Sequence, residues 1–268
     1  MFDSHVHSFF SADCHTPPEP LCEAAIRRGL DGIAITDHFD YDYPGYNASS
    51  QIDFDAYIAR LDNLSSRYGS KLQVLKGVEV GIQPHAVDQA LRVVRSYPFD
   101  YVLASVHIIG GVDPYAGTYY IGKAKREAYG RYLEEVLFMV RHFPDFDAVG
   151  HLDYITRYAG YPDRSMRYAD HSDLFDSIFR ELIAAGRGLE VNTGSYRQSS
   201  AAGSQIAFDV NILRRYKELG GEIVCLGSDS HGADYIGYRF DEFVELLKES
   251  GFRYVAHFEG RKPVFEAI

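Results

Sequence analysis

Seven short apolar runs, each followed by an amphipathic stretch, constrain this chain more than any other feature. The runs lie at 2–7, 32–36, 73–81, 101–107, 147–151, 188–192 and 223–228. They are brief and β-branched, and a Gly or Asp turn often precedes them, which marks strands. The stretches between them read as helices. The first begins after Thr16, with Pro17 and Pro18 in its opening turn, and stops near Gly29. Others are expected over 54–68, 87–96, 123–142, 174–185, 210–219 and 240–250. In the longest, Tyr132, Leu133, Val136, Leu137 and Val140 share one face, as a core stripe would. Repeated strand–helix alternation implies a parallel sheet with helical crossovers. Seven units approach the number that closes a barrel, and an open doubly wound sheet is the alternative. The chain has 268 residues and no Ser/Gly-rich linker, so residues 1–268 are read as one domain. Segments 109–120 and 158–173 are expected to be long loops of the kind that carry function.

What the strands end on points to chemistry. His5 and His7 close the first run, and Asp37 and His38 end the second, in Thr-Asp-His. Glu79 lies near the end of the third, His107 ends the fourth and His151 the fifth. Asp229 and His231 follow the seventh. Parallel strands of a barrel bring their carboxyl ends to one face, so these distant residues meet in one pocket. Taken singly, most of them are bland. A lone His is usually an ordinary, partly buried side chain, and a His-x-His pair is weak evidence even though alternate strand residues share a side. Glu79 and Asp229 say more, because a carboxylate inside an apolar strand is costly unless paired or bound to a cation. The joint pattern implies a metal cluster. Imidazole and carboxylate without clear thiolate suit zinc, iron or manganese. The donors exceed one tetrahedral shell, so two to three divalent ions are expected, with Glu79 as a bridge. Paired ions of this kind clamp both oxygens of an in-line displacement.

Charge and cysteine usage narrow the partners. A net charge of −11 argues against a long nucleic-acid groove. It does not exclude a small anionic substrate, because clustered cations reverse the local sign. Cys14, Cys22 and Cys225 are too few and odd for a disulfide framework, so they are read as reduced and the compartment as cytoplasmic. No signal peptide is visible, and no apolar stretch is long enough to span a bilayer, so no membrane partner is expected.

The motifs then resemble a known family. Asp3-Ser-His5-Val-His7-Ser, Ala34-Ile-Thr-Asp37-His38, Gly77-Val-Glu79-Val, Ser105-Val-His107, Val149-Gly-His151-Leu-Asp153, Glu190-Val-Asn192 and Gly227-Ser-Asp229-Ser-His231 are similar to those of the polymerase-and-histidinol-phosphatase (PHP) superfamily. They span nearly the whole chain in the family order. The resemblance implies an α/β fold, a distorted (β/α)7 barrel, with a trinuclear site at the carboxyl ends of the strands. It implies one ion on His5, His7, Glu79 and Asp229, a second on Glu79, His107 and His151, and a third on Asp13, His38 and His231. His15 is the alternative to Asp13. Within the superfamily the histidinol-phosphate phosphatases are the most similar branch. Ser-Phe-Phe-Ser-Ala-Asp13, Asp153-Tyr-Ile-Thr-Arg157 and Gly260-Arg-Lys-Pro-Val-Phe carry that resemblance. It implies hydrolysis of L-histidinol phosphate to L-histidinol and phosphate by a metal-bridging hydroxide. A phosphatase acting on phosphotyrosine in protein or on nucleotides is the alternative enzyme, and a silent metal-binding module is the alternative class.

Further roles follow for the loops. Arg157 and Arg197 are the candidate phosphate clamp, since a guanidinium matches a phosphate edge. Asp229 or His38 is expected to handle a proton. Asp37 and Asp153 are expected to orient ligating imidazoles. Asp113, Tyr115 and Tyr119 are the loop residues that would meet a cationic amino alcohol.

Overall fold

The computed structural model describes residues 1–45, 52–197 and 206–268. Its main sheet is built from β1 (Phe2–Val6), β2 (Gly32–Ile35), β4 (Gln73–Gly81), β5 (Tyr101–Ser105), β6 (Ala148–Val149), β7 (Gly188–Asn192) and β8 (Val224–Gly227), in that order and all parallel. Apart from the start of β4, nearly every strand residue is buried, as expected of a parallel sheet covered on both faces. Seven helices are described: α1 (Pro18–Arg27), α2 (Phe54–Tyr68), α3 (Val87–Ser96), α4 (Lys125–His142), α5 (Ser172–Ala184), α6 (Val210–Glu218) and α7 (Phe240–Glu249). On α4, Tyr132, Leu133, Val136 and Val140 are buried, and Leu137 packs at the margin of the core. The sheet curls shut between β1 and the end of β8. Asp229 N–H donates to the His5 carbonyl and His7 N–H to the Ser230 carbonyl, both at 2.8 Å. The molecule is therefore a nearly closed, distorted (β/α)7 barrel rather than an open sheet.

Three details differ from the sequence reading. The strands expected to reach 107 and 151 stop at Ser105 and Val149, so His107 and His151 stand just beyond them. His38 does not end β2. It opens a separate short strand, β3 (His38–Asp40), which pairs with the distal half of β4 and sets His38 opposite Glu79. Asp37 causes the break. Its carboxylate accepts from the backbone and hydroxyl of both Ser8 and Ser11, which ties the chain to the β1 loop. The third difference is an antiparallel hairpin, β9 (Tyr254–Glu259) and β10 (Lys262–Ala267). Gly260 and Arg261 turn it with φ of 51° and 67°, the doubly left-handed pattern of a tight hairpin. The hairpin covers the amino-terminal end of the barrel, where His257 stacks on Phe2 at 3.6 Å and Phe258 on Tyr101 at 5.3 Å. The opposite end stays open for the site. Among the described residues, no helix is long and apolar enough to cross a membrane.

Candidate metal centre

Glu79 sits fully buried on β4, at the centre of a ring of imidazoles. Its Oε1 faces His151 Nε2 at 2.7 Å and His107 Nε2 at 3.2 Å, and accepts from Ser105 Oγ at 2.6 Å. Its Oε2 faces His38 Nδ1 at 3.0 Å, His5 Nε2 at 3.1 Å and His7 Nε2 at 3.3 Å. Asp229 approaches from the end of β8. Its Oδ1 lies 3.2 Å from His7 Nε2, 3.5 Å from His5 Nε2 and 3.6 Å from His231 Nδ1. Asp229 has φ of +54°, a left-handed conformation that Asp tolerates better than most residues. On the outer side Asp13 Oδ2 stands 3.2 Å from His231 Nε2 and 3.6 Å from His38 Nε2. The His7 ring lies with its centroid 4.2 Å from those of both His38 and His231, which are 5.9 Å from each other. The fold thus brings together all nine residues expected as ligands. Both Asp13 and His15 are exposed, and of the two it is Asp13 that stands beside His38 and His231.

The donor set fits divalent cations. His5 Nε2 and His7 Nε2 face each other at 2.9 Å, and His107 Nε2 and His151 Nε2 at 3.4 Å. Two facing ring nitrogens can share only one proton, whereas a cation accepts a lone pair from each. Four groups of three donors converge within 4.8 Å: His5–His7–Asp229, His5–Glu79–His151, His38–Glu79–His107 and His7–His38–His231. Burial opposes ionisation of Glu79, but His5, His38, His107 and His151 outweigh it and hold the carboxyl well below its usual range. Burial also opposes ionisation of Asp229, and Arg157 and His5 overcome it. Burial lowers His7, helped by His38 and His231, and burial lowers His151, so both favour the neutral form that binds a metal. Burial acts against protonation of His107, yet Asp40 and Glu79 push it up to about 9.

A second layer holds these rings. Glu190 Oε1 faces His5 Nδ1 at 2.7 Å, and its Oε2 accepts the His151 backbone N–H at 2.5 Å. Asp40 Oδ1 faces His107 Nδ1 at 2.8 Å. Ser11 Oγ lies 3.1 Å from His7 Nδ1 and donates to Asp37 at 2.6 Å. Asp37 therefore orients an imidazole through Ser11 rather than directly. Asp153 accepts from Ser195 and Tyr196 and so supports the arginine wall. The direct carboxylate partners are Glu190 and Asp40, for which sequence reasoning had proposed no such role. Glu190 had a signal, being a carboxylate in an apolar strand like Glu79. Asp40 had none, because only the pairing of β3 with β4 brings it to His107.

Above the cluster opens a cleft of about 690 Å³. Arg157 and Arg197 both line it. Arg157 reaches Asp229 Oδ2 with Nη1 at 2.5 Å, and donates to Ser195 Oγ at 3.1 Å and Asn192 Oδ1 at 3.0 Å. Arg197 donates through Nη2 to the carbonyls of Ser228 and Asp229 and lies over the Tyr235 ring at 4.6 Å. Asp113 and Tyr115 line the same cleft, and Asp113 accepts from Tyr43 at 2.7 Å. Tyr119 is not among the lining residues. It is buried, with its hydroxyl on the Ala128 carbonyl, and serves packing.

The profile of the PHP domain family matches residues 3–194. The chain belongs to the PHP domain family. This PHP protein is 34% identical to a histidinol-phosphatase of Lactococcus lactis subsp. lactis, over 97% of this chain and 95% of that one. A probable histidinol-phosphatase of Clostridium acetobutylicum is 33% identical over 99% and 96% of the two chains. In structure, it matches the histidinol phosphate phosphatase of Lactococcus lactis subsp. lactis, solved with zinc, L-histidinol and phosphate. The TM-score is 0.89 at 32% identity, over 98% of each chain. The superfamily resemblance and the (β/α)7 barrel it implied are both borne out.

Proposed function

We propose that this PHP protein is a metal-dependent phosphomonoesterase that hydrolyses L-histidinol phosphate to L-histidinol and phosphate. The observation that carries the reading is Glu79, with one oxygen turned to His107 and His151 and the other to His5, His7 and His38. Similarity to a phosphatase solved with zinc, L-histidinol and phosphate supports the substrate. We assign His5, His7, Glu79 and Asp229 to one ion, Glu79, His107 and His151 to a second, and Asp13, His38 and His231 to a third. Divalent ions there supply Lewis-acid activation of water and neutralise charge on the phosphoryl oxygens.

The chain's own residues do the rest. Arg157 and Arg197 form the cleft wall that receives the phosphoryl group. Arg157 also keeps Asp229 ionised, which leaves that carboxylate able to accept the proton of the attacking water. His38 lines the cleft as the second group for proton transfer, although Glu79 and Asp13 already occupy its two nitrogens. Asp113 and Tyr115 offer a carboxylate and an aromatic edge to the cationic amino alcohol. We read residues 1–268 as one domain, because one sheet joins β1 to β8 and the hairpin caps it. Three buried, unpaired cysteines support a cytoplasmic setting.

Two measurements test the proposal. Elemental analysis of protein purified without added metal should find about two to three equivalents of transition metal, the number this donor set can hold. Less than one equivalent, with no activity after reconstitution, would defeat it. Turnover of histidinol phosphate should exceed that of a phosphotyrosine peptide and of nucleoside monophosphates, and the opposite order would favour the rival substrates.

A further inference from the structure

Arg164 belongs to the loop between β6 and α5, and it lines the cleft with Arg157 and Arg197. Only 3% of it is exposed. Its Nη1 donates to the carbonyls of Arg157 at 2.8 Å and Thr156 at 3.3 Å, and its buried Nε has no acceptor. Among the described residues, no carboxylate forms an ion pair with it. Its sequence neighbour Asp163 instead faces Lys125 and Arg167, both at 3.6 Å. Residues 46–51 and 198–205, outside the described set, contain no Asp or Glu. Arg164 is thus a buried cation without a counter-charge. Leaving a buried charge unmatched is strongly unfavourable, so such a group points to an anion that arrives from outside.

The loop is built to hold it still. Tyr129 donates to the Arg164 carbonyl at 2.7 Å, and Lys125 Nζ binds the carbonyls of Asp163 and Ser165 at 3.1 and 3.2 Å. Ser165 Oγ accepts the Ala207 N–H at 2.8 Å. Arg157 is neutralised by Asp229. Arg197 resembles Arg164 in donating to two carbonyls and in having a buried Nε without an acceptor.

We propose that Arg164 is a further phosphate-binding residue of this cleft, adding unmatched positive charge beside Arg197 that receives the phosphoryl dianion of the substrate and retains inorganic phosphate as product. The inference rests on the phosphomonoesterase reading above. Its test therefore measures phosphate binding apart from turnover. Inorganic phosphate is titrated calorimetrically into zinc-loaded wild-type protein and into Arg164→Gln. Affinity should fall at least about fivefold in the variant, since a charge-assisted contact is lost. The KM for histidinol phosphate should rise by a similar factor, because the same contact receives the phosphoryl group of the substrate. A smaller loss of phosphate affinity overturns the proposal. So does a collapse of kcat at unchanged phosphate affinity, which would make Arg164 a scaffold for the Arg157 turn. If Arg164→Gln does not fold, the guanidinium ¹⁵N signal of Arg164, identified by its disappearance in Arg164→Lys, is followed in wild-type protein. It should shift saturably with phosphate, and a fixed signal overturns the assignment. A wild type that binds phosphate but leaves histidinol phosphate intact would sink the substrate reading and spare this one.

Discussion

Glu190 shows how one residue governs a cluster it does not join. Its two oxygens hold His5 by the ring and His151 by the backbone, so a single carboxylate aligns a donor on β1 with one just beyond β6. Glu190→Gln keeps the shape and loses the charge. Metal affinity should fall about 10- to 100-fold, as is usual for such supporting contacts, and chelator competition measures it. Unchanged affinity would mean that the rings hold themselves. Arg197 acts on the other face. Its removal in Arg197→Ala should lower kcat/KM about tenfold or more, the worth of one charge-assisted bond. Wild-type kinetics in that variant would take Arg197 out of the phosphate wall.

At the scale of elements, the strands need small residues where the supporting carboxylates pass. A Cβ on Gly81, the last residue of β4, would stand 1.7 Å from Asp40 Oδ1 and 3.0 Å from His107 Nδ1. A Cβ on Gly227, ending β8, would stand 2.0 Å from Glu190 Oε1. These glycines are demanded by close approach rather than by backbone conformation, since neither is among the positive-φ residues. Gly81→Ala must therefore push Asp40 away from His107. A cost of about 1–3 kcal/mol is expected from the overpacking, seen as a lower denaturation midpoint together with reduced metal content. A variant with full metal content and wild-type stability would show that β3 gives way freely. The short β3 had no separate sequence signal. His38–Asp40 is too brief for periodicity to register, and it exists because Asp37 is bound by the Ser8–Ser11 turn.

For the whole molecule, the cluster ties the barrel shut. His5 and His7 flank the seam where β1 meets the end of β8, and Asp229 supplies both a donor and a backbone bond across it. Ions bound here would hold the first and last strands together, so binding and folding are coupled. Stripping the metal with a chelator should lower the midpoint of thermal unfolding by at least about 5 °C, by scanning calorimetry. Equal midpoints for loaded and stripped protein would show that the seam stands on its backbone bonds alone.

Periodicity and residue type made much of this legible in the sequence. Alternating apolar runs and helical stretches determine a parallel α/β fold, because each pattern reflects which side of one local element is buried, but they leave barrel and open sheet as alternatives. The candidate ligands at strand ends were legible for the same reason, since a common strand polarity sends every strand end to one face, whereas Asp13 came only from the family resemblance. Tertiary structure alone decided the rest. It selected Asp13 over His15 as the residue beside His38 and His231. It brought Asp40 and Glu190 to the rings, separated β3 from β2, folded the hairpin over the barrel floor and left Arg164 without a counter-charge. Each of these depends on register across the sheet and on where the barrel closes. Those are relations between segments far apart in the chain, and no local pattern of residues encodes them.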